Sequence, residues 1–208
     1  MMEKQEKIWN REYLEKGRLW SRETINLPRA LKGRRILELG AGNGKTLKSI
    51  LKQKPDSVIA IDFSSEAIRQ CKTLFPICRH LTLLNANILN LPFNTNDFDV
   101  IVCYYILNNL LKKERQRAVK EIYRVLKPKG KIIFEDFAVG DFRQDKQAKT
   151  IEPNTIRKKN GIICHFFTKA EIKSLFGPFK NLKIKESNSM PIKHKPLERK
   201  IISAVIDK

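Results

Sequence analysis

The 208-residue chain lacks the features of several protein classes. It has no run of about 18 apolar residues, so no segment is predicted to span a membrane. Residues 1–7 are rich in charges and lack the apolar core of a secretory signal. Only four cysteines occur, and no two form a Cys-x-x-Cys pair, which argues against a disulfide framework and against a metal site. A reducing cytoplasm is therefore the predicted location.

Acidic residues are scarce relative to basic ones. The chain has 42 Lys and Arg against 22 Asp and Glu, a net charge of +20, and residues 143–208 carry half of this excess. A solvated, lysine-rich surface is the simplest interpretation, but thermophile-type surfaces usually raise Glu together with Lys. A one-sided excess is the electrostatic footprint of a protein that binds nucleic acid. A nucleic acid is therefore the predicted partner.

Repeats and low-complexity segments are also lacking, and the length favours a single domain. The apolar fraction of 41% is enough to fill one core. The pattern divides this domain into a helical cap over residues 1–34, a cofactor-binding core over 35–137, and a substrate-side insertion with C-terminal strands over 138–208.

The most informative feature that is present is a glycine-rich turn after an apolar run. Residues 35–39 are typical of a buried parallel strand, and Gly40, Gly42 and Gly44 follow at alternate positions. Glycines let a backbone turn tightly and lie directly against a ligand. Their spacing matches neither the dinucleotide fingerprint, which needs its third glycine where Lys45 stands, nor the P-loop. Glu38, just before the turn, would repel a phosphate and suits a ligand with a free amine.

The next predicted strand ends in an acid. The apolar run 58–61 is followed by Asp62, 22 residues after Gly40. An acid at the tip of the second strand of a doubly wound sheet can hydrogen-bond both hydroxyls of a ribose. A helix N-cap is the alternative role for Asp62, in competition with Ser64 or Ser65. A ribose together with an amine or sulfonium, without phosphate, is the chemistry of S-adenosylmethionine (SAM).

Five motifs in family order over residues 36–136 resemble those of class I SAM-dependent methyltransferases. They are the glycine turn, Asp62, the adenine-holding segment 85–93, the fourth-strand motif 97–103 and the turn 124–130. The resemblance implies SAM as the cofactor and an α/β fold, a doubly wound and mostly parallel seven-stranded sheet of the Rossmann-like kind. The implied cofactor-binding residues are Trp20, Glu38, Gly40, Ala41, Gly42, Asn43, Gly44, Asp62, Phe63, Asn87, Ile88 and Cys103. Asn87 stands where many members have Asp, and Cys103 also suits a small core position.

Strand and helix patterns alternate through the core, which predicts a parallel sheet with helices on both faces. The predicted strands are 35–39, 58–62, 80–84, 99–104 and 131–137, followed by a final pair at about 181–188 and 199–206, one of them antiparallel. The predicted helices are 44–53, 64–74, 113–126 and 168–176, and residues 138–163 form an insertion. Ligands are expected beyond the carboxyl ends of the strands, where the strand order reverses.

Regions outside the core are similar to the methyltransferase-like enzymes that make 3-methylcytidine in tRNA. The similarity lies in a Trp-containing segment at 9–22, an acid–aromatic pair after the fifth strand, and an aromatic-Phe-Thr stretch at 166–168. It implies an RNA substrate, tRNA, without fixing the base. Stacking faces and charges for such a substrate could come from Trp9, Trp20, Phe142, Phe166 and Phe167 and from Arg18, Arg22, Arg143, Arg157, Lys158 and Lys159. Core packing is the alternative for these aromatics.

Methyl transfer from a sulfonium mainly requires that the reactants are positioned and water is excluded. A general base is needed only if the acceptor loses a proton. Tyr104, Asp141 and His165 are the predicted catalytic residues, with Asp136 a further candidate at a strand end. A packed or capping histidine is the alternative for His165. Three functions remain open: a methyltransferase for RNA, a methyltransferase for a small acidic metabolite, and a SAM-binding, RNA-associated subunit without activity.

Overall fold

The computed structural model describes residues 2–17, 27–28, 30–145, 147–189 and 198–208. The predicted Trp20, Arg18 and Arg22 lie outside these residues, as does much of the predicted helical cap. The helices are α1 (Met2–Lys16), α2 (Lys45–Leu51), α3 (Ser65–Leu74), α4 (Lys112–Val125) and α5 (Lys169–Leu175). The strands are β1 (Arg35–Leu39), β2 (Ser57–Asp62), β3 (Leu81–Asn85), β4 (Phe98–Tyr104), β5 (Leu126–Phe137), β6 (Lys149–Glu152), β7 (Thr155–Arg157), β8 (Ile163–His165), β9 (Leu182–Ser189) and β10 (Arg199–Asp207).

Seven of these strands form one sheet in the order β3-β2-β1-β4-β5-β10-β9. The first five are parallel to one another, while β10 is antiparallel to both of its neighbours, β5 and β9. The predicted Rossmann-like architecture of class I methyltransferases, including its final antiparallel pairing, is thereby confirmed. The strand order reverses between β1 and β4, and this reversal opens a crevice beyond their carboxyl ends.

Successive side chains of each strand point to opposite faces of the sheet and fill a hydrophobic core on each face. Leu37 and Leu39 belong to the cluster on one face, and Ile36 belongs to the cluster on the other. Successive side chains of a strand point to opposite faces, so a strand that is apolar throughout must be covered on both. Complete burial of each Leu or Ile contributes about 1.5–3 kcal/mol. The sheet therefore gives the strand ends a rigid base.

Helix boundaries follow local capping. The side chain of Ser64 caps α3 by accepting from the backbone N–H of Ala67, and Thr168 caps α5 by accepting from that of Glu171. An N-cap of this kind stabilises a helix by about 1 kcal/mol. Within the described residues no helix is long and apolar enough to cross a membrane.

Two features differ from the sequence expectations. Strand β5 begins at Leu126 instead of 131, because the chain pairs with β4 directly after α4 and the register shifts between Phe98 and Val100. The insertion contains a three-stranded sheet, β6-β7-β8, that the sequence pattern did not predict. Its strands are only three or four residues long, too short to show a period.

Helix α1 lies over the carboxyl ends of the strands and connects two distant parts of the chain. The side-chain oxygen of Asn10 accepts from Ser64 Oγ at 2.7 Å, at the start of α3. On the opposite side, Gln5 Nε2 donates to the Gly161 carbonyl at 3.1 Å, and Glu12 Oε1 accepts from Asn160 Nδ2 at 3.0 Å. The helix therefore closes one side of the crevice with residues from both ends of the sequence.

Candidate functional site

A cavity of about 340 Å³ lies at the carboxyl ends of β1, β2 and β4, under α1. Its inner end is lined by the glycine turn at residues 40–43 and by Asp62 and Phe63. An adjoining slot shares Gly40, Asp62 and Phe63 and extends along residues 86–88. The structure thus brings together residues that the sequence places on three separate strands.

The glycine turn has no space for side chains at two positions. Gly40 has φ of +74°, and a Cβ there would lie 1.8 Å from Cδ1 of Ile106. Gly42 has φ of +52°, and a Cβ there would lie 2.9 Å from the hydroxyl oxygen of Tyr13. The Gly40 and Ala41 N–H groups both donate to the Ile61 carbonyl at 2.8 Å, which holds the turn against β2. The turn is a backbone cradle of the kind that a ligand can approach closely.

Asp62 is buried at the end of β2, and both of its carboxylate oxygens accept backbone N–H groups. Oδ2 accepts from Gly42 N and Oδ1 from Ser64 N, each at 2.9 Å. Burial raises the pKa of this carboxyl from 3.8 to about 6, although the backbone N–H donors of Ser64, Gly42 and Phe63 act in the lowering direction. Each oxygen keeps further lone-pair capacity for a ligand hydroxyl. This arrangement fits a ribose diol.

Glu38 lies behind the turn and does not line the cavity. Its carboxylate is buried, and Oε2 has no hydrogen-bond partner. Burial raises the pKa of Glu38 well above its ordinary value, and the charge of Asp62 raises it further. The sequence-based role of Glu38, contact with a ligand amine, stays a prediction. An unsatisfied buried acceptor beside a ligand cradle is nonetheless compatible with a cationic ligand or a bridging water.

The adjoining slot is lined mostly by apolar side chains, with the amides of Gln5, Asn87 and Asn109 at its wall. Ile61, Ile88, Ile106 and Leu110 line it. Asn87 Oδ1 accepts from Leu89 N at 2.8 Å and so closes a local turn. The Asn87 oxygen is therefore engaged, and its amide nitrogen is the group that can donate to a ligand. A narrow apolar slot beside a ribose site fits an adenine ring.

Taken residue by residue, the inner cavity fits SAM. The glycine cradle admits the backbone of an amino-acid moiety, Asp62 suits the ribose, and the slot at 86–88 suits the adenine. Among the described residues, no cluster of His, Cys, Asp or Glu is placed to hold a metal ion.

The outer end of the cavity combines aromatic rings with cations. Trp9 and Lys16 come from α1, Tyr104 and Tyr105 follow β4, and the remaining lining groups include Phe137, Arg143, Lys158 and Arg199. Lys16 forms an ion pair with Glu12, also on the cavity wall. Three cations other than Lys16 therefore lie at this end, together with the two tyrosines.

Tyr105 is held in a conformation that most residues avoid. Its φ is +57°, and it immediately follows the last residue of β4. Its hydroxyl donates to Glu135 and accepts from Arg199 Nη2 at 2.8 Å. Its carbonyl accepts from Asn109 Nδ2 at 3.0 Å. Strained backbone of this kind clusters at functional sites, where the surrounding structure maintains it.

Tyr104 lines the cavity, but its chemistry differs from that of a base. Burial, and then the charge of Glu135, raise the pKa of both Tyr104 and Tyr105 above the ordinary value. Each phenol therefore stays protonated near neutral pH, so its oxygen does not carry the negative charge of a general base. A positioning role for Tyr104 is compatible with this geometry, and a role as general base is not.

The structure places the other two predicted catalytic residues away from the cavity lining. Asp141 is buried, accepts from Lys200 N at 2.9 Å, and forms an ion pair with Arg143 at 2.9 Å. His165 is buried with both ring nitrogens engaged, Nδ1 with Thr155 Oγ1 at 2.7 Å and Nε2 with Glu171 Oε2 at 2.8 Å. Burial lowers the pKa of His165. Both residues connect elements of the fold, so the geometry supports structural roles for them.

Several other predicted residues also lie outside the cavity. Cys103 is fully buried in a core cluster, as its small apolar character suggested, and Asp136 is buried and accepts from the backbone of Asn108. Gly44 forms the N-cap of α2, where a Cβ would meet Phe75. Phe166 and Phe167 are fully buried, so neither offers a stacking face.

Tyr13, Tyr105 and Arg199 line the cavity but were not predicted as site residues. Arg199 begins β10, and an antiparallel strand starts at the edge where its parallel neighbours end. The antiparallel direction of this last strand could therefore have identified Arg199 as a site residue. The position of Tyr105, directly after a predicted strand, was a comparable signal.

Comparison with known proteins gives a family and relatives. Residues 37–134 match the family described as "Methyltransferase domain". The tRNA N(3)-methylcytidine methyltransferase Mettl2 of Drosophila melanogaster is 30% identical over 155 residues, which cover 70% of this chain and 48% of that protein. The 2-phytyl-1,4-beta-naphthoquinone methyltransferase of Arabidopsis thaliana is 34% identical over 128 residues, 58% of this chain and 48% of that protein. The chain thus spans about half the length of these curated relatives.

The fold has close structural neighbours. The crystal structure of a SAM-dependent methyltransferase from Methanosarcina mazei has a TM-score of 0.70 and 23% sequence identity, and the match covers 88% of this chain and 99% of that one. At this identity the likeness concerns the fold. The two sequence relatives are named for a cytidine in tRNA and for a phytyl naphthoquinone, so similarity alone does not select an acceptor.

Proposed function

Because the chain carries a class I SAM-dependent methyltransferase domain, we propose that it transfers the methyl group of SAM to a nucleophilic atom in RNA, with tRNA as the substrate. The observation that carries the proposal is one continuous cavity that joins the glycine turn and Asp62 to an outer end lined by Arg143, Lys158 and Arg199. A cofactor and an anionic acceptor would meet in this cavity.

The bound cofactor would supply a methyl group already activated on a sulfonium. The protein's own contribution is to hold and orient. Gly40 and Gly42 bring backbone against the ligand, and Asp62 would accept hydrogen bonds from the ribose hydroxyls. Helix α1 covers the site through Trp9 and Tyr13 and keeps water out. Such positioning accounts for much of the rate enhancement in transfers of this type.

The acceptor end favours a nucleophile that needs no base. Tyr104 and Tyr105 have raised pKa values and stay protonated, while Glu12 is paired with Lys16. Asp62, whose pKa is about 6, is committed to the cofactor end. Among the described residues that line the cavity, no free base faces the acceptor. An atom with an available lone pair, such as a ring nitrogen of a base, is therefore the acceptor class that this site fits.

The charge distribution supports RNA over a small neutral acceptor. The chain carries a net charge of +20, and half of the excess lies in residues 143–208, which supply Arg143, Lys158 and Arg199. Such an excess raises the association rate and affinity for a polyanion. The half-buried Trp9 at the cavity wall is the ring on which an unstacked base could lie.

A methyltransferase for a small acidic metabolite is the second candidate. The same three cations would bind a carboxylate, and a relative at 34% identity is named as a methyltransferase for a small molecule, a phytyl naphthoquinone. A SAM-binding subunit without activity is the third candidate, and it would use the same glycine turn and Asp62 to bind the cofactor.

The test is methyl transfer from radiolabelled SAM into bulk tRNA, with a small-molecule extract as the parallel acceptor. Label in tRNA, followed by nucleoside digestion, would support the proposal and identify the atom. Label only in the extract would favour the metabolite enzyme. SAM binding with no label in either acceptor would favour the non-catalytic subunit or a missing partner.

A further inference from the structure

The outer end of the cavity contains two arginines at the ends of a chain of ring contacts. The guanidinium carbon of Arg143 lies 4.6 Å from the ring centroid of Phe137. The ring centroids of Phe137 and Tyr105 are 5.1 Å apart, and the guanidinium carbon of Arg199 lies 5.7 Å from that of Tyr105. Cation–π contacts of this kind fix the position of each charge. The four side chains therefore set two positive groups at a defined spacing.

Each arginine is anchored through one part of its guanidinium. Arg143 donates through Nη1 to both oxygens of Asp141, at 2.9 and 3.2 Å, and also lies 4.2 Å from the Phe142 ring. Arg199 donates through Nη2 to the Tyr105 hydroxyl at 2.8 Å. A guanidinium has five N–H donors, so both anchored groups keep donors that these contacts do not use.

Arg199 carries a second sign of an incomplete site. Its Nε is buried and has no hydrogen-bond partner among the described residues. Unsatisfied buried donors are rare in native proteins, and a charged one is especially costly. A partner for this donor that arrives with the ligand would remove the cost. Lys158 also lines the wall of this cavity.

The rings in this layer position the arginines and do not offer stacking platforms. The Phe137 ring lies between Arg143 and Tyr105, and the Tyr105 ring lies between Phe137 and Arg199 in the contact chain. Their contacts are thus already made within the protein. The groups that remain for a ligand are the unused N–H donors of the two guanidinium groups. Paired N–H donors of a guanidinium match the paired oxygens of a phosphate.

We infer that Arg143 and Arg199 form a clamp for the phosphodiester backbone of the RNA next to the methylated nucleotide. The inference rests on the proposed function and adds the residues that hold the acceptor. With its phosphates on the two arginines, the nucleotide directs its base inward, past Tyr104 and toward the glycine turn. Arg143 and Arg199 are positioning residues for the acceptor in this arrangement, and Lys158 adds charge to the same end.

The experiment compares three variants with the unmodified protein. Arg199→Gln removes one fork, and Arg143→Lys removes the other while keeping a charge beside the buried Asp141. Arg117→Gln is the matched control, because Arg117 is exposed on α4 and outside the cavity. The readouts are the KM and kcat for methylation of bulk tRNA, the Kd for tRNA at several salt concentrations, and the Kd for S-adenosylhomocysteine as a check on folding and on the cofactor end.

The clamp predicts that Arg199→Gln and Arg143→Lys each raise the KM for tRNA about tenfold or more, the value of one charge-assisted hydrogen bond. Arg199→Gln should also reduce the slope of log K against log salt by about one. S-Adenosylhomocysteine binding should be unchanged, and Arg117→Gln should match the unmodified protein. Variants at Arg199 and Arg143 that behave like Arg117→Gln would overturn the clamp while the proposed function stands.

Two further outcomes separate the clamp from the proposed function. If the unmodified protein methylates no tRNA, the proposed function fails, and the clamp is judged on tRNA binding: a loss confined to the Arg199 and Arg143 variants supports it, and equal binding refutes it. If Arg199→Gln loses methyl transfer to acidic metabolites but binds tRNA normally, the arginines hold a carboxylate, and the phosphate clamp is refuted.

Discussion

Replacement of Asp62 by Asn separates two effects of one buried carboxylate. In the ligand-free protein, both Asp62 oxygens accept backbone N–H groups, from Gly42 and Ser64. In the proposed complex the same oxygens also accept the ribose hydroxyls. Asn keeps the shape but has a single oxygen and no charge. The substitution therefore has two effects. It weakens ligand binding, and it removes the energetic cost of a buried charge in the empty site.

The magnitudes follow from the pKa. A rise from 3.8 to about 6 means that ionised Asp62 costs the empty site about 3 kcal/mol. Asn removes that cost, but its side-chain NH2 group then faces one of the two backbone N–H groups that Asp62 accepts. Two donors facing each other cost about 1–3 kcal/mol. The two nearly cancel, so the Tm of the ligand-free protein should change by only a few degrees. The loss of charged acceptors for two hydroxyls should weaken SAM binding by about 3 kcal/mol, or roughly a hundredfold.

The dependence on pH gives a second signature. The native protein holds the Asp62 proton more tightly than the unfolded chain does, so this group's stabilising contribution is complete below pH 3.8 and is lost as the pH rises through about 6. SAM affinity should show the opposite trend, because the ribose needs the carboxylate, and should fall as the pH drops below about 6. Asp62→Asn should remove both trends.

Calorimetric titration with S-adenosylhomocysteine and thermal unfolding, each between about pH 5 and 8, measure these effects across the titration of Asp62. Asp56→Asn is the control, since Asp56 is exposed before β2. An Asp62→Asn protein that binds the ligand within about threefold of the unmodified protein would contradict the ribose assignment, because it implies less than 1 kcal/mol from the carboxylate.

Three more predictions concern the same cavity. Gly40→Ala should abolish SAM binding, because the added Cβ would lie 1.8 Å from Cδ1 of Ile106. Gly33→Ala is the control and should bind SAM normally, since Gly33 has a similar φ of +65° and a Cβ there would have nothing within 4 Å. Equal affinities of the two variants in calorimetry would refute the role of the glycine turn. His165→Asn should lower stability by about 1–3 kcal/mol and leave kcat for methyl transfer within about twofold; a large kcat loss in a protein of normal Tm would restore the catalytic role predicted for His165. The pH–rate profile should show no titration of Tyr104 between about pH 7 and 9, since its pKa is raised; an alkaline limb in that range that Tyr104→Phe removes would contradict this.

The sequence predicted the sheet well because the buried parallel strands are apolar throughout. Strand β1 was predicted with its observed bounds, and β2 and β4 within one residue, since short apolar runs flanked by Gly, Pro or Asp have few other interpretations. The N-cap of α5 at Thr168 was predicted from a capping-box pattern and is present. The short strands of the insertion carry charges and no clear period, and their pairing depends on contacts that no local pattern encodes.

The structure places predicted residues on the cavity wall where their position at a strand end decides, and away from it where side-chain direction decides. Gly40 and Asp62 line the cavity because their positions at strand ends determine where they lie. Asp141 lies after β5 and His165 is the last residue of β8, but each is engaged by a neighbour, Arg143 or Glu171, that the local sequence pattern does not identify. Arg199 was missed because its approach to the cavity depends on the antiparallel β10.

The central claim is that one cavity binds SAM through Asp62 and delivers the methyl group to RNA. The most direct test is the incorporation of label from radiolabelled SAM into bulk tRNA by the unmodified protein and by Asp62→Asn, at a SAM concentration near the Kd of the unmodified protein. The predicted result is labelled tRNA with the unmodified protein and a loss of nearly all label with the variant. Labelling that is equal in both, or tRNA that stays unlabelled while a small-molecule extract is methylated, would contradict it.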